Sequence, residues 1–175
     1  MAELLDIAQL GNPVLRKITQ ELINIDENID SLSSDMIHTV NNVSGVGLAA
    51  PQVFESKSMF IMASEPNDRY PNAPQMEPTV IINPKITSSS DKTVKDMEGC
   101  LSIPGIRGLV PRKEEIEVEY INISGAIVKT TYSNFTARIF QHEYDHLKGI
   151  VFLDRVESNF ELISELEYQR LIFAE

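Results

Sequence analysis

The chain has 175 residues, of which 42% are apolar and 23% charged, and this composition excludes disordered and collagen-like proteins. The length suits one domain, spanning residues 1–175. No apolar run approaches the roughly 20 residues of a membrane span. The N-terminus also lacks the pattern of a signal peptide, so we expect a cytoplasmic protein without membrane contact. The net charge of −11 argues against general nucleic-acid binding through a basic face.

The first predicted elements are helices. Asn12 and Pro13 suit the N-cap and first position of a short helix. Between residues 26 and 43, apolar residues recur at helical spacing and predict an amphipathic helix. The segment SGVGLAAPQ that follows is rich in small residues, and we interpret it as a loop.

Strands are predicted in the middle of the chain. The segments SMFIMAS and TVIINPKI predict two strands, separated by a loop over residues 65–78 that holds four prolines. A loop of this length is either functional or an inert surface insertion. The segments IEVEYINI and AIVKTTYS alternate apolar and polar residues on either side of Ser-Gly, and they predict a hairpin.

Two helices are predicted near the C-terminus. The first begins near Ser133 or Asn134 and ends before Gly149. The second begins with a capping box formed by Ser158 and Glu161. Because helices and strands are segregated along the chain, we predict an α+β fold. In this fold, antiparallel sheets pack around the first of these helices, and the second helix ends the chain.

The segment QHEYDH contains two of the three histidines, His142 and His146, four residues apart. Four residues make about one helical turn, so both imidazoles face one point, as in the HExxH motif of catalytic metal sites. Glu143 lies one position further round the helix. From there it can reach a water at the metal and take its proton. Phe135 and Ile139 lie on the same helical stripe as the histidines.

A metal site of this kind needs a third protein ligand, and two residues are candidates. Glu165 lies 19 residues after His146, as in some HExxH endopeptidases, although a solvated acidic helix face also explains it. Cys100 is the only cysteine, and a Cys-His-His set leaves one position open for water. Cys100 is the better candidate, with a buried, unreactive cysteine as the alternative.

Three motifs resemble the peptide deformylase family. They are GVGLAAPQ at residues 45–52, EGCLS at 98–102 and QHEYDHLKG at 141–149, and their order and spacing also match. The opening LGNPVLR is similar too, so the resemblance covers nearly the whole chain. It implies a metal-dependent hydrolase that removes the N-formyl group from formylmethionine at the start of new polypeptides and releases formate.

The resemblance also implies which residues bind the metal and move the proton. Cys100, His142 and His146 would be the metal ligands. The expected metal is Fe²⁺, with Ni²⁺, Co²⁺ or Zn²⁺ able to substitute. Glu143 would be the general acid and base.

Further residues would support the reaction. Gln52 and the backbone N–H of Leu101 would stabilise the oxyanion. Glu98 and Asp145 would orient the ligands from behind. Arg112 would pair with one of these two carboxylates, and a plain surface ion pair is equally open for it.

The resemblance places the methionine side chain of the substrate in an apolar pocket. The pocket residues would be Val46, Gly47, Phe135 and Ile139. The peptide backbone would pair in extended form with Val46 and with residues 99–105, which include Gly99 and Gly105. Core packing is an alternative role for Phe135 and Ile139. Arg138 stands where many relatives have an apolar residue, and Gly105 where some have a carboxylate, so pocket width and later peptide contacts are open.

Two other functions and one further partner are open from the sequence. A gluzincin-type endopeptidase would need Glu165 rather than Cys100 for its metal. A non-catalytic binding protein of the same fold would lack a ligand, the base or an oxyanion residue. Residues 157–175 hold five glutamates and one arginine, so we expect ribosome contact to be weak or transient at most. The apolar stripe of this segment is expected to pack on the protein's own body.

Overall fold

The computed structural model describes residues 2–174, and within them eight strands form two antiparallel sheets. In chain order, the strands are β1 (Gly47–Ala49), β2 (Met59–Met62), β3 (Thr79–Ser89), β4 (Thr93–Cys100), β5 (Ile103–Lys113), β6 (Glu115–Ile121), β7 (Ile127–Ser133) and β8 (Leu162–Ser164). The larger sheet has the order β1-β2-β3-β6-β7, and the smaller sheet has the order β4-β5-β8. The predicted α+β class and the β6–β7 hairpin are confirmed.

In the described part of the chain, three α-helices accompany the sheets, namely α1 (Glu27–Asn42), α2 (Asn134–His146) and α3 (Glu165–Phe173). Helix α1 begins where predicted, because the Asp26 carboxylate accepts hydrogen bonds from the backbone N–H groups of Asn28 and Ile29, both at 3.1 Å. The short helix predicted after Asn12 is a 3₁₀ helix, Pro13–Arg16. Within residues 2–174, no helix is both long and apolar enough to cross a bilayer.

Helix α2 carries the QHEYDH segment and lies against strands of both sheets. On the larger sheet, Phe140 packs edge to face on Phe60 with ring centroids 5.1 Å apart. At the end of β5, the Gln141 side chain donates to the carbonyl of Lys113 at 2.9 Å and accepts from its N–H at 3.0 Å. Contacts with both sheets therefore fix the direction in which the two histidines project.

Strands β4 and β5 lie in a region for which no strand was predicted. The β4 segment TVKDMEGC lacks apolar alternation, and β5 contains Pro104 and Pro111, which cannot donate backbone hydrogen bonds. The two strands nevertheless pair from Thr93↔Lys113 to Gly99↔Arg107. Cross-strand pairing therefore overrides weak local preference here. The segment predicted as a loop before Pro51 also contains a strand, the three-residue β1.

The C-terminal segment differs from the predicted continuous helix. Ser158 caps only a 3₁₀ turn, Asn159–Glu161, and the next three residues form β8 on the edge of β5. Helix α3 then starts at Glu165, because the Ser164 hydroxyl accepts from the N–H of Glu167 at 3.2 Å. The predicted apolar stripe of this segment consists of Phe160, Ile163, Leu166 and Ile172. The expectation that it packs on the protein's own body is wrong for Phe160 and Leu166, which are exposed, whereas Ile163 and Ile172 are half-buried.

Candidate metal centre and active site

Cys100, His142 and His146 meet at one buried point. Cys100 ends β4, and the two histidines lie one turn apart on α2. One candidate ligand atom from each residue lies within 4.8 Å of the others, and Cys100 Sγ is 3.3 Å from His146 Nε2. All three side chains are buried. One sulfur and two imidazole nitrogens suit a zinc- or iron-like ion and leave a coordination position open, so these residues fit a catalytic metal.

The Glu98 carboxylate holds the metal-binding residues from behind. It accepts from His142 Nδ1 at 2.9 Å, which leaves Nε2 of that imidazole to face the centre. Arg112 donates to Glu98 through Nε at 2.8 Å and Nη2 at 3.0 Å, and through Nη1 to Asp145 at 2.6 Å. Arg112 is buried, so it pairs with both carboxylates rather than at the surface.

The same contacts set the protonation of the buried groups. Burial would raise the pKa of Glu98, but the positive charge of Arg112 and the hydrogen bond from His142 hold it far below its usual value. Burial lowers the pKa of His142, but hydrogen bonds with Cys100 and Glu98 outweigh this and keep it well above normal. The pKa of His146 lies well below normal because of burial and the nearby positive charges of His142 and Arg112.

Glu143 lies beside the metal centre in a tightly limited space. The side chain is 4% exposed, and its Oε2 has no hydrogen-bond partner among the described residues. Burial raises the pKa of Glu143 to about 7. A Cβ atom placed on Gly47 would lie 2.4 Å from Glu143 Oε1. Only glycine at this position therefore leaves room for the carboxylate.

Gln52 lies next to Cys100 and Ser102. It belongs to the 3₁₀ turn Ala50–Val53 and is 1% exposed. Its Oε1 accepts from the N–H of Ala49 at 2.8 Å, which turns the amide nitrogen toward Ser102 Oγ at 3.1 Å and Cys100 Sγ at 3.5 Å. Leu101 is the residue after the cysteine, in the turn between β4 and β5.

A cavity opens beside the candidate ligands. Most of the predicted substrate residues line it, namely Val46, Gly47, Gly99, Phe135 and Ile139. Gly105 does not line it, because it lies on an exposed part of β5 with φ +80°. The lining also contains Arg69 and Tyr70 of the 65–78 loop. The length of this loop and its segment RYPNAP, residues 69–74, are the sequence signals that indicate a functional loop here.

Arg138 also lines the cavity, but its charge is neutralised inside the protein. Its guanidinium donates to Glu98 Oε1 at 2.9 Å and to the carbonyls of Val110 at 2.8 Å and Val94 at 2.7 Å. These acceptors hold the guanidinium against β4 and β5. The Arg138 side chain that borders the cavity is therefore held in place by hydrogen bonds.

The rival metal ligand, Glu165, lies elsewhere. Its carboxylate accepts from Arg107 Nε at 2.7 Å and Nη2 at 3.0 Å. It belongs to no metal-binding group in the part of the chain that the structure describes. A Cys-His-His set with an adjacent buried glutamate defines instead a metal-dependent hydrolase site of the HExxH class.

Comparison with known proteins identifies the family. The profile described as Polypeptide deformylase matches residues 4–161. "Peptide deformylase 2" of Nostoc sp. is 57% identical over 171 residues, covering 97% of this chain and 96% of that protein. "Peptide deformylase 2" of Shewanella oneidensis is 45% identical over 151 residues, covering 86% of this chain and 83% of that protein.

Solved structures agree. The Met-Ala-Ser-bound class I type b peptide deformylase of Acinetobacter baumannii is 42% identical with a TM-score of 0.86, over 89% of this chain and all of that one. The peptide deformylase of Thermotoga maritima is 37% identical with a TM-score of 0.80, over 89% of this chain and 99% of that one. The chain belongs to the peptide deformylase family, metal-dependent enzymes that remove the N-formyl group from nascent peptides. This excludes the gluzincin and non-catalytic alternatives.

The space around Glu143 yields a prediction. Gly47→Ala should displace the carboxylate, because the new methyl group and Oε1 overlap. Turnover should fall by about tenfold or more, since general acid–base help depends on position, while metal content stays unchanged. Gly125→Ala is the control, because its φ of +82° strains an alanine while no atom lies within 4 Å of the new methyl group, so it should lower stability without changing turnover. Formate release and metal analysis measure the result, and normal turnover in Gly47→Ala would contradict it.

Proposed function

We propose that Cys100, His142 and His146 bind one Fe²⁺, which Ni²⁺, Co²⁺ or Zn²⁺ can replace, and that Glu143 and Gln52 perform the hydrolysis of N-formylmethionyl peptides. The observation that supports this most strongly is the meeting of the buried donor set, the buried Glu143 and the Gln52 amide at one cavity. The bound cation would supply Lewis-acid activation of water and of the formyl group.

The proton is moved by Glu143 in this proposal. Its carboxylate takes the proton of the attacking water, the water oxygen bonds to the formyl carbon, and the carbon–nitrogen bond then breaks. Glu143 returns the proton to the leaving amine, so the products are formate and a free methionine N-terminus. The raised pKa of about 7 supports a group that can both accept and return a proton.

The developing oxyanion is stabilised by Gln52 and by the backbone N–H of Leu101. The Gln52 amide is already oriented by the N–H of Ala49 at 2.8 Å, so little reorganisation is needed when charge develops. Leu101 directly follows the ligand Cys100, which supports a donor fixed relative to the metal. Glu98, Asp145 and Arg112 orient His142 and its helix through their buried ion pairs.

The substrate lies between two sheet edges in this proposal. Strand β1 ends one side of the larger sheet and β4 ends one side of the smaller sheet, and both edges border the cavity. An extended peptide can pair with Val46 and Gly99 at these edges. Phe135, Ile139 and the stem of Arg138 then form the methionine pocket. The relative from Acinetobacter baumannii binds Met-Ala-Ser, the product expected from formyl-Met-Ala-Ser.

We further propose that residues 1–175 form a single catalytic domain, which meets its nascent-chain substrates in the cytoplasm. We propose neither a membrane nor a general nucleic-acid partner. The net charge of −11 supports the second of these exclusions.

Two substitutions test the division of roles. Glu143→Ala keeps all three ligands, so metal content should stay near one ion per chain while formate release from formyl-Met-Ala-Ser falls by at least about a hundredfold. Cys100→Ser should lose or scramble the metal, because a serine hydroxyl is a poor ligand for a soft site. Glu165→Gln is the control for metal content, which it should leave intact. Full metal occupancy and activity in Cys100→Ser would reject the ligand assignment.

The choice of iron is tested by exposure to air. Iron-loaded enzyme should lose activity, because a ferrous ion with an open position reacts with oxygen and the cysteine ligand can itself be oxidised. Nickel-loaded enzyme should keep its activity over the same period. The time course of formate release after preparation free of air measures both forms. Equal decay of the two forms would argue against iron.

We also propose that contact with the ribosome is weak or transient at most. Residues 157–175 carry five glutamates against one arginine, and ribosomal RNA repels such a segment. Co-sedimentation of the full chain with ribosomes should show little binding at low or moderate salt. Glu167→Lys reverses one exposed charge on α3 and should increase binding at low salt only. Tight, salt-sensitive binding of the unchanged chain would contradict the proposal.

A further inference from the structure

Arg107 is the largest fully buried side chain, and it lies outside the catalytic machinery. Its guanidinium is stacked between two tyrosine rings, with Cζ 4.8 Å from the centroid of Tyr70 and 4.4 Å from that of Tyr168. Glu165 binds it with a fork of two hydrogen bonds at 2.7 and 3.0 Å. A buried guanidinium is costly unless it is paired, so Glu165 is needed to keep Arg107 where it is.

The partners of Arg107 come from distant parts of the chain. Tyr168 and Glu165 belong to α3, beyond the residues 4–161 that match the family profile. Tyr70 belongs to the 65–78 loop, and Arg107 Nη2 also donates to the backbone carbonyl of Arg69 at 3.2 Å. One side chain on β5 therefore joins the C-terminal helix to the loop.

The loop end that Arg107 holds forms part of the cavity wall. Arg69 and Tyr70 both line the cavity. The Tyr70 ring packs against Phe135, with centroids 5.5 Å apart. A Cβ atom on Gly99 would lie 3.3 Å from Arg69 Nη2 and 3.5 Å from Arg107 Cγ. Arg69 and Tyr70 of the 65–78 loop are thus adjacent to the sheet edge along which the proposed substrate extends.

We propose that Arg107 is a positioning residue through which helix α3 holds the 65–78 loop at the rim of the substrate cavity. The consequence, which rests on the proposed function, is that the Arg107–Glu165 pair sets the affinity for peptides extending beyond formylmethionine. The pair touches neither the ligands nor Glu143, so the chemical step does not depend on it. Binding and turnover should therefore separate in variants of α3.

The chain contains its own reporter of loop anchoring. Trypsin cleaves after Arg69, whose carbonyl is held by Arg107, and cleavage requires local opening of the loop. Glu165→Gln removes the paired charge and should speed cleavage at Arg69 by about tenfold relative to other sites. It should also raise KM for formyl-Met-Ala-Ser by about fivefold while kcat stays within about twofold. For formyl-Met alone, both parameters should change little.

Glu167→Gln is the matched control, because it removes the same charge from the same helix at an exposed pair with Arg170. It should leave both cleavage and KM unchanged. Tyr168→Leu removes one stacking ring but keeps the ion pair, so it should give a smaller change in the same direction. If thermal melting shows that Glu165→Gln does not fold, the cleavage rate and KM of Tyr168→Leu test the anchoring of the loop instead.

Unchanged cleavage at Arg69 in both Glu165→Gln and Tyr168→Leu would overturn the proposal. So would an equal loss of kcat on both substrates without faster cleavage, which would assign Glu165 to general stability. If the unchanged enzyme released no formate, the proposed function would fail. The cleavage rates of the metal-loaded protein would still decide whether α3 anchors the loop.

Discussion

The active site depends on the buried Glu98 carboxylate. This group on β4 accepts hydrogen bonds from Arg112 on β5 and from Arg138 and His142 on α2, so it joins both strands to the helix. Removing one partner of such a buried ion pair typically costs about 3–5 kcal/mol, because the remaining charge is left uncompensated. The cost of separating these charges keeps Cys100 at the end of β4 opposite the histidines. The geometry of the metal centre is therefore a consequence of charge neutralisation behind it.

Close packing around Glu143 and Cys100 also shapes the site. Glu143 has room only because Gly47 carries no side chain, and Gln52 turns toward Cys100 because its amide oxygen is bound by the backbone at Ala49. Both residues belong to the short region of β1 and the turn after it, which meets α2 from the larger sheet. Small residues there allow the backbone to approach the helix closely. Cys100 therefore belongs to the smaller sheet, whereas Gly47 belongs to the larger sheet and Gln52 to the turn that follows β1.

Local patterns in the sequence predicted local structure correctly. The spacing of His142 and His146 predicted a helix with both imidazoles on one side, and α2 has this form. Local patterns did not predict the segments whose structure depends on a distant strand. Strand β5 carries two prolines and no clear alternation, so only its pairing with β4 makes it a strand. The same applies to the C-terminal segment, where pairing of β8 with β5 replaces part of a helix that the capping signal at Ser158 favoured.

The sequence by itself determined the family and indicated the candidate metal ligands and the candidate base, because the motif residues and their spacing carry that information directly. Only the tertiary structure showed that Arg112 bridges Glu98 and Asp145 and that Arg138 forms a buried ion pair with Glu98. It alone also brought Arg69 and Tyr70 to the cavity, far along the chain from the motifs. The physical reason is that ion pairs and stacking between distant segments depend on distances in space, which local spacing along the chain does not contain.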